Sequence, residues 1–585
     1  MPVLLQYLRR GVPGLVPVLG AMALCAPAHA AETTISCREA TPAEAATYTT
    51  PMMKPGVISP KDGTCFVKDL YVTASDGIKL TANVFLPRGA ASGVANGQKF
   101  PALLFISSWA MSESFEYLGQ QHRMANEGYV SLAYTTRGFW KSEGVVGVAG
   151  SQDVRDVSSA IDHMLAYTPA DASRVGSAGI SYGAGLSLLG AAQDRRIRAV
   201  ASLSGWGDLG DQLYGNQVPN TTWLGLLLSM GQMTGRMDPA VLELGRITRD
   251  PDSTQAQAAE TLAWAAQRSP SRVIDKINAN QPAVFIGKNW QDDMFSPNST
   301  LALFSRLTTP KRISLQPGIH ASAELAGAVF GKPDPIWDDA RLWFDRWLKG
   351  DANGIDTEPK VRLTTKFGDV TETLSTWPAP ELRSKAYWIN PRGAVRYDNE
   401  CKCQRGLVGD LDAQRGEFGV DTINNAFDTT ATTGPVPVLS TTLETKGLPV
   451  VNHLPSVPLA QGVRYEGPIL EDGMRIRGAP KLQLRVRPSQ ARGMLVAYLY
   501  EVNAAGMGTL ITHGARAVHW ATPGASIDFS FDLNAIAYDV APGRRLGLVF
   551  DTADHLYGAP VRRGEAFSMG IEAGDGVSAL ILPMR

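Results

Sequence analysis

The sequence has almost no net charge and no long block of like charges. It contains 55 Lys and Arg residues against 56 Asp and Glu residues, which leaves a formal net charge of −1. Proteins that hold a nucleic-acid backbone or an acidic membrane surface usually present a positive field. We therefore expect no nucleic-acid partner. No internal repeat and no low-complexity linker separates parts of the chain, so we expect its domains to pack against one another.

The sequence also lacks a hydrophobic run long enough to cross a membrane as a helix. The apolar run Gly14–Cys25 is shorter than the roughly 20 residues that a spanning helix needs, and a proline interrupts it. Two arginines precede this run, and a small-x-small motif that ends at Ala30 follows it. This pattern is typical of a cleaved signal peptide. We predict a signal peptide over residues 1–30, cleavage after Ala30, and a periplasmic or secreted protein without a membrane span.

Cysteine is scarce, with five residues in the whole chain. Cys25 is removed with the signal peptide, and Cys37, Cys65, Cys401 and Cys403 remain, an even number that favours disulfides in an exported protein. We favour the local pair Cys37–Cys65, which leaves Cys401–Cys403 as a tight second bridge. The alternative pairings join the N-terminal arm to the region around residue 400. Neither pair has zinc-site spacing or a neighbouring histidine, so we expect no metal and no cofactor.

What the sequence does contain is the pattern of a nucleophilic serine. Residues 175–180 are typical of a short buried strand, and a helix rich in small residues is predicted after Ser181. Gly179, Ser181 and Gly183 fit G-x-S-x-G, in which the serine lies on a sharp turn between strand and helix. The turn is crowded, so both flanking positions must be small. The N–H of Tyr182 is predicted to point to the place where an oxyanion forms.

Two later segments supply an acid and a histidine in the order Ser, acid, His that α/β-hydrolases use. Asp292 follows the strand predicted to start at Ala283, and His320 follows the next strand. We predict that His320 takes the Ser181 proton and that Asp292 orients and stabilises the imidazolium. Asp293 is the alternative acid. The other histidines of the mature chain are predicted to be structural or surface residues.

The hydrophobic pattern divides the chain into segments of different type. After an N-terminal arm at 31–65, strands alternate with helices over 66–206 and again over 281–358, which predicts a doubly wound α/β sheet. The intervening segment 207–280 is helical, and we interpret it as a cap over the site. From 359 to 585, short alternating strands predict an all-β jelly-roll domain.

Several stretches together resemble the CocE/NonD family of serine hydrolases, the relatives of cocaine esterase, X-Pro dipeptidyl peptidase and α-amino-acid ester hydrolases. These stretches are VTASDGIKLTANVFLP, YTTRGFWKSEG, VGSAGISYGAG, NWQDDMF, GIHAS and WFDRWLKG. The resemblance extends over nearly the whole mature chain. It implies an α/β-hydrolase domain with a helical cap, a C-terminal jelly roll, and a serine triad without a metal.

The resemblance also directs attention to residues around the triad. Many members use a tyrosine side chain after an early strand as the second oxyanion donor, and Trp109 occupies that place here. Its indole N–H is a candidate donor, and packing in the pocket is the alternative role. Amino-acid ester hydrolases bind the substrate ammonium through carboxylates. In this sequence Trp206, Asp208 and Asp211 are the candidate substrate-binding residues near the cap, and the two aspartates are the candidates to hold an amine.

We predict an exported serine hydrolase that cleaves small-molecule carboxylic esters through an acyl-enzyme. One alternative is an X-Pro dipeptidyl peptidase or an acylase that acts on amides, which needs a charged site in the cap. The alternative of another class is a polymer- or glycan-binding protein with a vestigial triad. The sequence leaves the acyl group and the oligomeric state open.

Overall fold

The computed structural model describes residues 35–46, 54–90, 97–394, 396–399, 403–424, 429–434, 436, 439–444, 446, 448–558 and 567–585. The predicted signal peptide and its cleavage site lie outside the described residues. Cys401 also lies outside them, and of Cys403 only the backbone is described.

A 12-stranded mixed sheet forms the first half of the molecule. Its strands are β1 Arg38–Glu39, β2 Val57–Ile58, β3 Cys65–Thr73, β4 Lys79–Leu86, β5 Phe100–Ile106, β6 Val130–Tyr134, β7 Ala170–Ile180, β8 Ile197–Leu203, β9 Ala283–Asn289, β10 Lys311–Gln316, β11 Val361–Thr364 and β12 Thr371–Leu374. They are ordered β1-β2-β3-β4-β6-β5-β7-β8-β9-β10-β11-β12. The pairings from β6 across to β11 are parallel, whereas β3–β4 and β11–β12 are antiparallel. The antiparallel strands β3 and β4 form a hairpin whose turn contains Asp76 and Gly77.

Helices cover both faces of this sheet, as the α/β alternation predicted. They are α1 Pro42–Ala46, α2 Leu118–Asn126, α3 Ser151–Tyr167, α4 Tyr182–Gln193, α5 Leu209–Leu213, α6 Thr221–Thr234, α7 Pro239–Arg249, α8 Gln255–Ala266, α9 Ile274–Asn280, α10 Pro297–Arg306, α11 Leu325–Phe330 and α12 Pro335–Phe344, with a π-helical turn at Asp345–Lys349. Successive residues of a strand point to opposite faces. On β5, Phe105 belongs to the apolar cluster of Trp337, whereas Ile106 belongs to that of Val157. Both faces are thus buried, which explains the continuous apolar run of this strand.

The segment between β8 and β9 is helical and contains α5 to α9. The three longest of these helices, α6, α7 and α8, lie where the sequence predicted helices. The segment leaves the sheet at the carboxyl end of β8. It therefore lies over the edge at which functional residues of a doubly wound sheet collect.

The second half of the described chain is an all-β domain. Its elements are β13 Arg383–Asn390, β14 Arg396–Asp398, β15 Cys403–Arg405, β16 Gly409–Asp412, β17 Gly419–Asn424, α13 Leu439–Glu444, β18 Val451–His453, β19 Val463–Glu466, β20 Met474–Gly478, β21 Lys481–Pro488, β22 Gly493–Val502, β23 Met507–Val518, β24 Ile527–Asp532, β25 Ile536–Val540, β26 Arg545–Asp551, β27 Ser568–Ala573 and β28 Ala579–Met584. Within its 14-stranded sheet the strand pairs are antiparallel except β16–β19. On β21, Leu482, Leu484 and Val486 are buried and alternate with more exposed residues, as the sequence predicted.

The all-β domain packs directly on the α/β domain. Asn298 in α10 donates to Leu533 O at 3.0 Å and accepts from Ala535 N at 2.7 Å. One apolar cluster also includes Ile286 of β9 together with Phe531 of the β domain. The two domains therefore share a core, which agrees with the missing linker in the sequence.

A disulfide joins Cys37 to Cys65. This bond confirms the predicted local pairing and fastens the N-terminal arm to β3. None of the described helices is both long enough and apolar enough to cross a membrane.

Candidate active site

Ser181 lies on a strained turn between β7 and α4. Its φ is 54°, in the left-handed region that non-glycine residues rarely adopt. A Cβ added to Gly179 would lie 2.3 Å from the carbonyl carbon of Gly183, and one added to Gly183 would lie 1.9 Å from Ile106 O. Both positions therefore require glycine. The turn is held to the neighbouring strand, because Ser181 N donates to Leu203 O at 2.8 Å.

The structure brings the predicted serine, histidine and acid together. His320 Nε2 is 2.8 Å from Ser181 Oγ, and its Nδ1 is 3.1 and 3.0 Å from the two carboxylate oxygens of Asp292. The Phe295 N–H donates to Asp292 Oδ1 at 2.9 Å. Chemically, this arrangement can remove the hydroxyl proton of Ser181 and stabilise the resulting imidazolium.

The alternative acid, Asp293, points away from His320. Its Oδ1 is 3.2 Å from His513 Nε2 on β23, and its main-chain oxygen accepts from Asn220 Nδ2 at 2.7 Å. Asp293 therefore contributes to the contact between the cap and the β domain. The geometry favours Asp292 over Asp293 as the partner of His320.

Asp292 has a second charged partner that the sequence analysis missed. Lys288 Nζ is 2.7 Å from Asp292 Oδ2, and both side chains are fully buried. Burial raises the pKa of Asp292, but His320 and Lys288 more than offset this and hold it below its usual range. Burial lowers the pKa of Lys288 despite the attraction of Asp292. The available signal was a lone lysine in the otherwise apolar strand that ends at Asn289.

A second buried carboxyl lies beneath the loop that carries His320. Glu324 accepts from Ser204 Oγ at 2.8 Å and from Asn289 Nδ2 at 3.1 Å. Asn289 Nδ2 also lies 3.1 Å from Ile319 O, so it connects β9 to the residue before His320. Burial raises the pKa of Glu324. The sequence gives no motif for this network.

The nucleophile turn rests on a layer of polar residues from the loop after β5. Ile180 N donates to Tyr117 OH at 2.8 Å, and Ser108 Oγ lies 2.8 Å from Ile180 O. Glu116 accepts from the N–H of Ser108 at 2.8 Å and contacts its hydroxyl. Burial raises the pKa of Glu116 to about 7.

The side chain of Tyr182 anchors the other side of the turn. Its hydroxyl donates to Asp153 Oδ1 at 3.0 Å and accepts from Ala149 N at 2.6 Å. Burial and the charge of Asp156 raise the pKa of Asp153 to about 7. The main-chain N–H of Tyr182 is in the first turn of α4, where an N–H has no acceptor within the helix. It is thus open to an oxyanion at Ser181.

Ser181 opens into a cavity beneath the cap, which we call the apolar cavity. None of its lining residues is charged, and the polar ones are Ser181, Tyr182, Tyr214, Thr248 and Thr261. Its apolar side chains are those of Trp109, Val148, Trp206, Leu209, Leu213, Leu224, Leu227, Leu228, Val241, Leu244, Leu262, Trp264, Ala265 and Phe295. In the described part of the chain, no group of three or more His, Cys, Asp or Glu side chains is placed to hold a metal ion.

Trp109 and Trp206 are both in the wall of the apolar cavity. The indole N–H of Trp109 donates to Leu227 O on α6 at 2.9 Å, so it does not point at an oxyanion. This geometry favours the alternative role of Trp109, packing in the pocket wall, over the predicted role as second oxyanion donor. Trp206 donates to Arg268 O at 2.9 Å and stacks on the Tyr182 ring, in keeping with its predicted place at the substrate.

Asp208 and Asp211 do not reach the apolar cavity. Asp208 Oδ1 caps α5 by accepting from Gly210 N at 3.0 Å, and its Oδ2 accepts from Ser271 Oγ at 3.0 Å. Arg272 Nε lies 3.4 Å from the same oxygen. Asp211 lines a different cavity, between the cap and the β domain. The geometry thus gives no support to the prediction that these carboxylates bind a substrate amine beside Ser181.

Two family models match consecutive parts of the chain. Residues 76–322 match the X-Pro dipeptidyl-peptidase (S15 family), and residues 353–569 match the X-Pro dipeptidyl-peptidase C-terminal non-catalytic domain. "Putative serine esterase Mb1866c" of Mycobacterium bovis is 22% identical over 316 residues, which are 49% of this chain and 47% of that protein. "Putative Xaa-Pro dipeptidyl-peptidase" of Bacillus anthracis is 22% identical over 494 residues, which are 76% and 74% of the two chains. The chain thus spans about half the length of the mycobacterial relative.

Solved structures agree with the fold. An α-amino acid ester hydrolase superposes with a TM-score of 0.67 at 16% identity, over 92% of this chain and all of the other. A CocE/NonD family hydrolase from Staphylococcus aureus superposes with a TM-score of 0.66 at 14% identity, over 89% and 93% of the two chains. These likenesses confirm the predicted fold class, an α/β domain followed by an all-β domain. The chain therefore carries a domain that matches the S15 family, followed by one that matches the C-terminal non-catalytic domain of X-Pro dipeptidyl peptidases, and it shares the fold of the CocE/NonD hydrolases.

Proposed function

We propose that this chain is an exported serine hydrolase that cleaves esters of apolar carboxylic acids. The observation that carries the proposal is the position of Ser181: its hydroxyl is hydrogen-bonded to His320 and opens into a cavity without a charged lining residue. Each apolar CH₂ group that such a cavity removes from water contributes about 0.8 kcal/mol. The cavity therefore suits an acyl chain, and the alcohol leaves toward solvent.

In the proposed mechanism, Ser181 attacks the ester carbonyl while His320 Nε2 takes the hydroxyl proton. Asp292 holds Nδ1–H and stabilises the imidazolium. The N–H of Tyr182 donates to the developing oxyanion. Because the side chain of Trp109 is engaged elsewhere, a main-chain N–H of the loop after β5 is the remaining candidate for the second donor. His320 then protonates the leaving alkoxide, and water hydrolyses the acyl-enzyme by the same steps.

A second candidate is cleavage of X-Pro dipeptides, which the matched S15 description favours. Such a substrate carries a free ammonium close to the scissile bond. An ammonium inside the apolar cavity would lose its hydration without gaining a carboxylate partner, which is costly. The cavity therefore favours the neutral ester.

The alternative as a binding protein has less support. Among the described residues of the β domain, the strongly exposed aromatic side chains are Phe418 and Trp520. Two such residues do not make the aromatic strip that a glycan-binding surface requires.

We also propose export, because the Cys37–Cys65 disulfide suits an oxidising compartment. N-terminal sequencing of protein recovered from the periplasm or medium should begin at Ala31. Recovery of the full-length chain from the cytosol would contradict this proposal.

The function is tested with matched chromogenic substrates. p-Nitrophenyl acetate, butyrate and octanoate are compared with the p-nitroanilides of Ala-Pro and Gly-Pro, using wild type, Ser181→Ala and the exposed control Ser173→Ala. We expect ester turnover that the Ser181 variant loses by at least ~10⁴-fold and the control retains. Efficient X-Pro cleavage would overturn the ester assignment, and undiminished activity of Ser181→Ala would overturn the mechanism.

A further inference from the structure

Lys288 is a buried cation at the back of the proposed triad. Its ammonium contacts Asp292 Oδ2 at 2.7 Å and the main-chain oxygen of Gly205 at 3.2 Å. Both partners are acceptors, and the short contact with the carboxylate is typical of a charge-assisted hydrogen bond. Burying a cation away from water costs free energy unless the cation is paired. We therefore asked what Lys288 does for Asp292.

The contact is made at the carboxylate that faces His320. Asp292 accepts from three directions: from His320, from the Phe295 N–H, and from Lys288. The carboxylate therefore cannot rotate without breaking the contact with Lys288. The charged groups that face the ammonium are Asp292, Glu324 from the segment before α11, and His320 from the loop after β10.

We propose that Lys288 is a positioning residue that locks Asp292 against His320 and sets, through its charge, the pH range over which the Ser181–His320–Asp292 set is active. This inference rests on the proposed function of the Ser181–His320–Asp292 set. Lys288 and His320 bind the same carboxylate, so their charges are at most two hydrogen-bond lengths apart. A positive charge at this distance opposes formation of the imidazolium. Loss of that charge should move the acid limb of the pH–rate profile to higher pH.

The test is the pH profile of kcat/KM for p-nitrophenyl butyrate in Lys288→Gln, Lys288→Met and Lys288→Arg. Gln keeps a donor without the charge, Met keeps the stem, and Arg keeps the charge. We expect the acid limb to move up by about 1 to 2 pH units in the Gln and Met variants. In Lys288→Arg it should stay near the wild-type position, whatever the change in kcat.

A second buried lysine supplies the matched control. Lys366 is also buried and paired, 3.0 Å from Glu444 and 2.7 Å from Leu510 O, but it does not line the apolar cavity that contains Ser181. Lys366→Met should lower thermal stability and leave the acid limb in place. An unchanged acid limb in folded Lys288→Gln, or an equal shift in Lys288→Arg and Lys288→Gln, would overturn the proposal.

A readout without substrate separates this inference from the proposed function. The low-field proton NMR signal of His320 Nδ1–H reports protonation of the ring directly. Its titration midpoint should rise in Lys288→Gln by the same amount as the acid limb. This shift would support the role of Lys288 even if ester turnover failed, whereas identical midpoints would refute it even if Ser181→Ala abolished activity.

Discussion

The cap covers two cavities of opposite character, and the short helix α5 lies between them. Leu209 and Leu213 of this helix line the apolar cavity that contains Ser181. Asp211 and Gln212, on its other side, line a polar cavity that reaches the β domain and includes Asp293. One turn of helix thus separates the proposed acyl site from a cavity lined by polar and charged residues.

The larger of the two cavities is not the one that contains Ser181. The polar cavity has a volume of about 230 Å³ and the apolar cavity about 90 Å³. The larger one contains neither the serine nor the histidine of the candidate site, and one of its carboxylates, Asp293, contacts His513. The comparison teaches that Asp293 serves the domain contact, that Asp208 caps α5, and that the Ser181 side of α5 is neutral.

The strongest test of this division uses the two adjacent aspartates. Asp292→Asn should lower kcat for p-nitrophenyl butyrate by ~10⁴-fold, because an amide cannot hold the required tautomer or stabilise the imidazolium. Asp293→Asn should change kcat by less than ~3-fold and lower the free energy of unfolding by about 1 kcal/mol, because it weakens the contact with His513. Steady-state kinetics measure kcat, and urea unfolding measures the free energy of unfolding, for both variants. An equal loss of kcat in both variants would contradict the assignment of the two aspartates to different cavities.

The next largest effect concerns the carboxyls buried under Ser181. Glu116 titrates near 4.5 when unfolded and near 7 when folded, because burial raises its pKa. The folded state binds the extra proton, so this stability is complete below about pH 4.5 and is lost as pH rises through about 7. The loss amounts to about 3 kcal/mol.

Glu116→Gln mimics the protonated acid and should flatten this pH dependence. The measurement is the free energy of unfolding at pH 5 and pH 8.5, with Glu260→Gln on the exposed face of α8 as the control. A pH dependence that stays the same in Glu116→Gln would show that Glu116 is ionised in the folded protein.

The outcome of the sequence predictions follows from how local each signal is. The turn around Ser181 could be predicted because steric crowding requires glycine at positions 179 and 183. The strands and the cap helices could be predicted from the periodicity of their hydrophobic residues. Chain order then placed Asp292 and His320 at neighbouring strand ends. The direction of a side chain is not encoded locally. The hydrogen bond from Trp109 to a cap carbonyl and the contact of Lys288 with Asp292 could not be predicted, because both depend on contacts that exist only in the folded chain.

A charge introduced into the apolar cavity should lower kcat/KM by less than the loss of Asp292 lowers kcat. Thr248 lines this cavity, and its hydroxyl donates to Leu244 O at 2.7 Å within its own helix. Thr248→Asp should lower kcat/KM for the butyrate ester by ~10- to 100-fold at pH 8, because a buried carboxylate repels the acyl chain and retains water. Thr248→Val should stay within ~3-fold of wild type. On the other side of α5, Asp211→Asn should change kcat/KM by less than ~2-fold. A large loss in Thr248→Val would show that the hydroxyl binds the substrate.

The smallest effect is expected for the indole N–H of Trp109. Trp109→Phe keeps an aromatic wall and removes the hydrogen bond to Leu227 O, which is worth about 1 kcal/mol. The bond joins the loop after β5 to α6, so its loss should loosen the cap and raise KM by up to ~5-fold with kcat nearly unchanged. Loss of an oxyanion donor would instead lower kcat by ~10²- to 10³-fold. The ratio of the KM and kcat changes on p-nitrophenyl butyrate therefore tells whether Trp109 belongs to the wall of the apolar cavity or to the catalytic machinery. A fall in kcat of that size would require the indole to leave Leu227 during turnover.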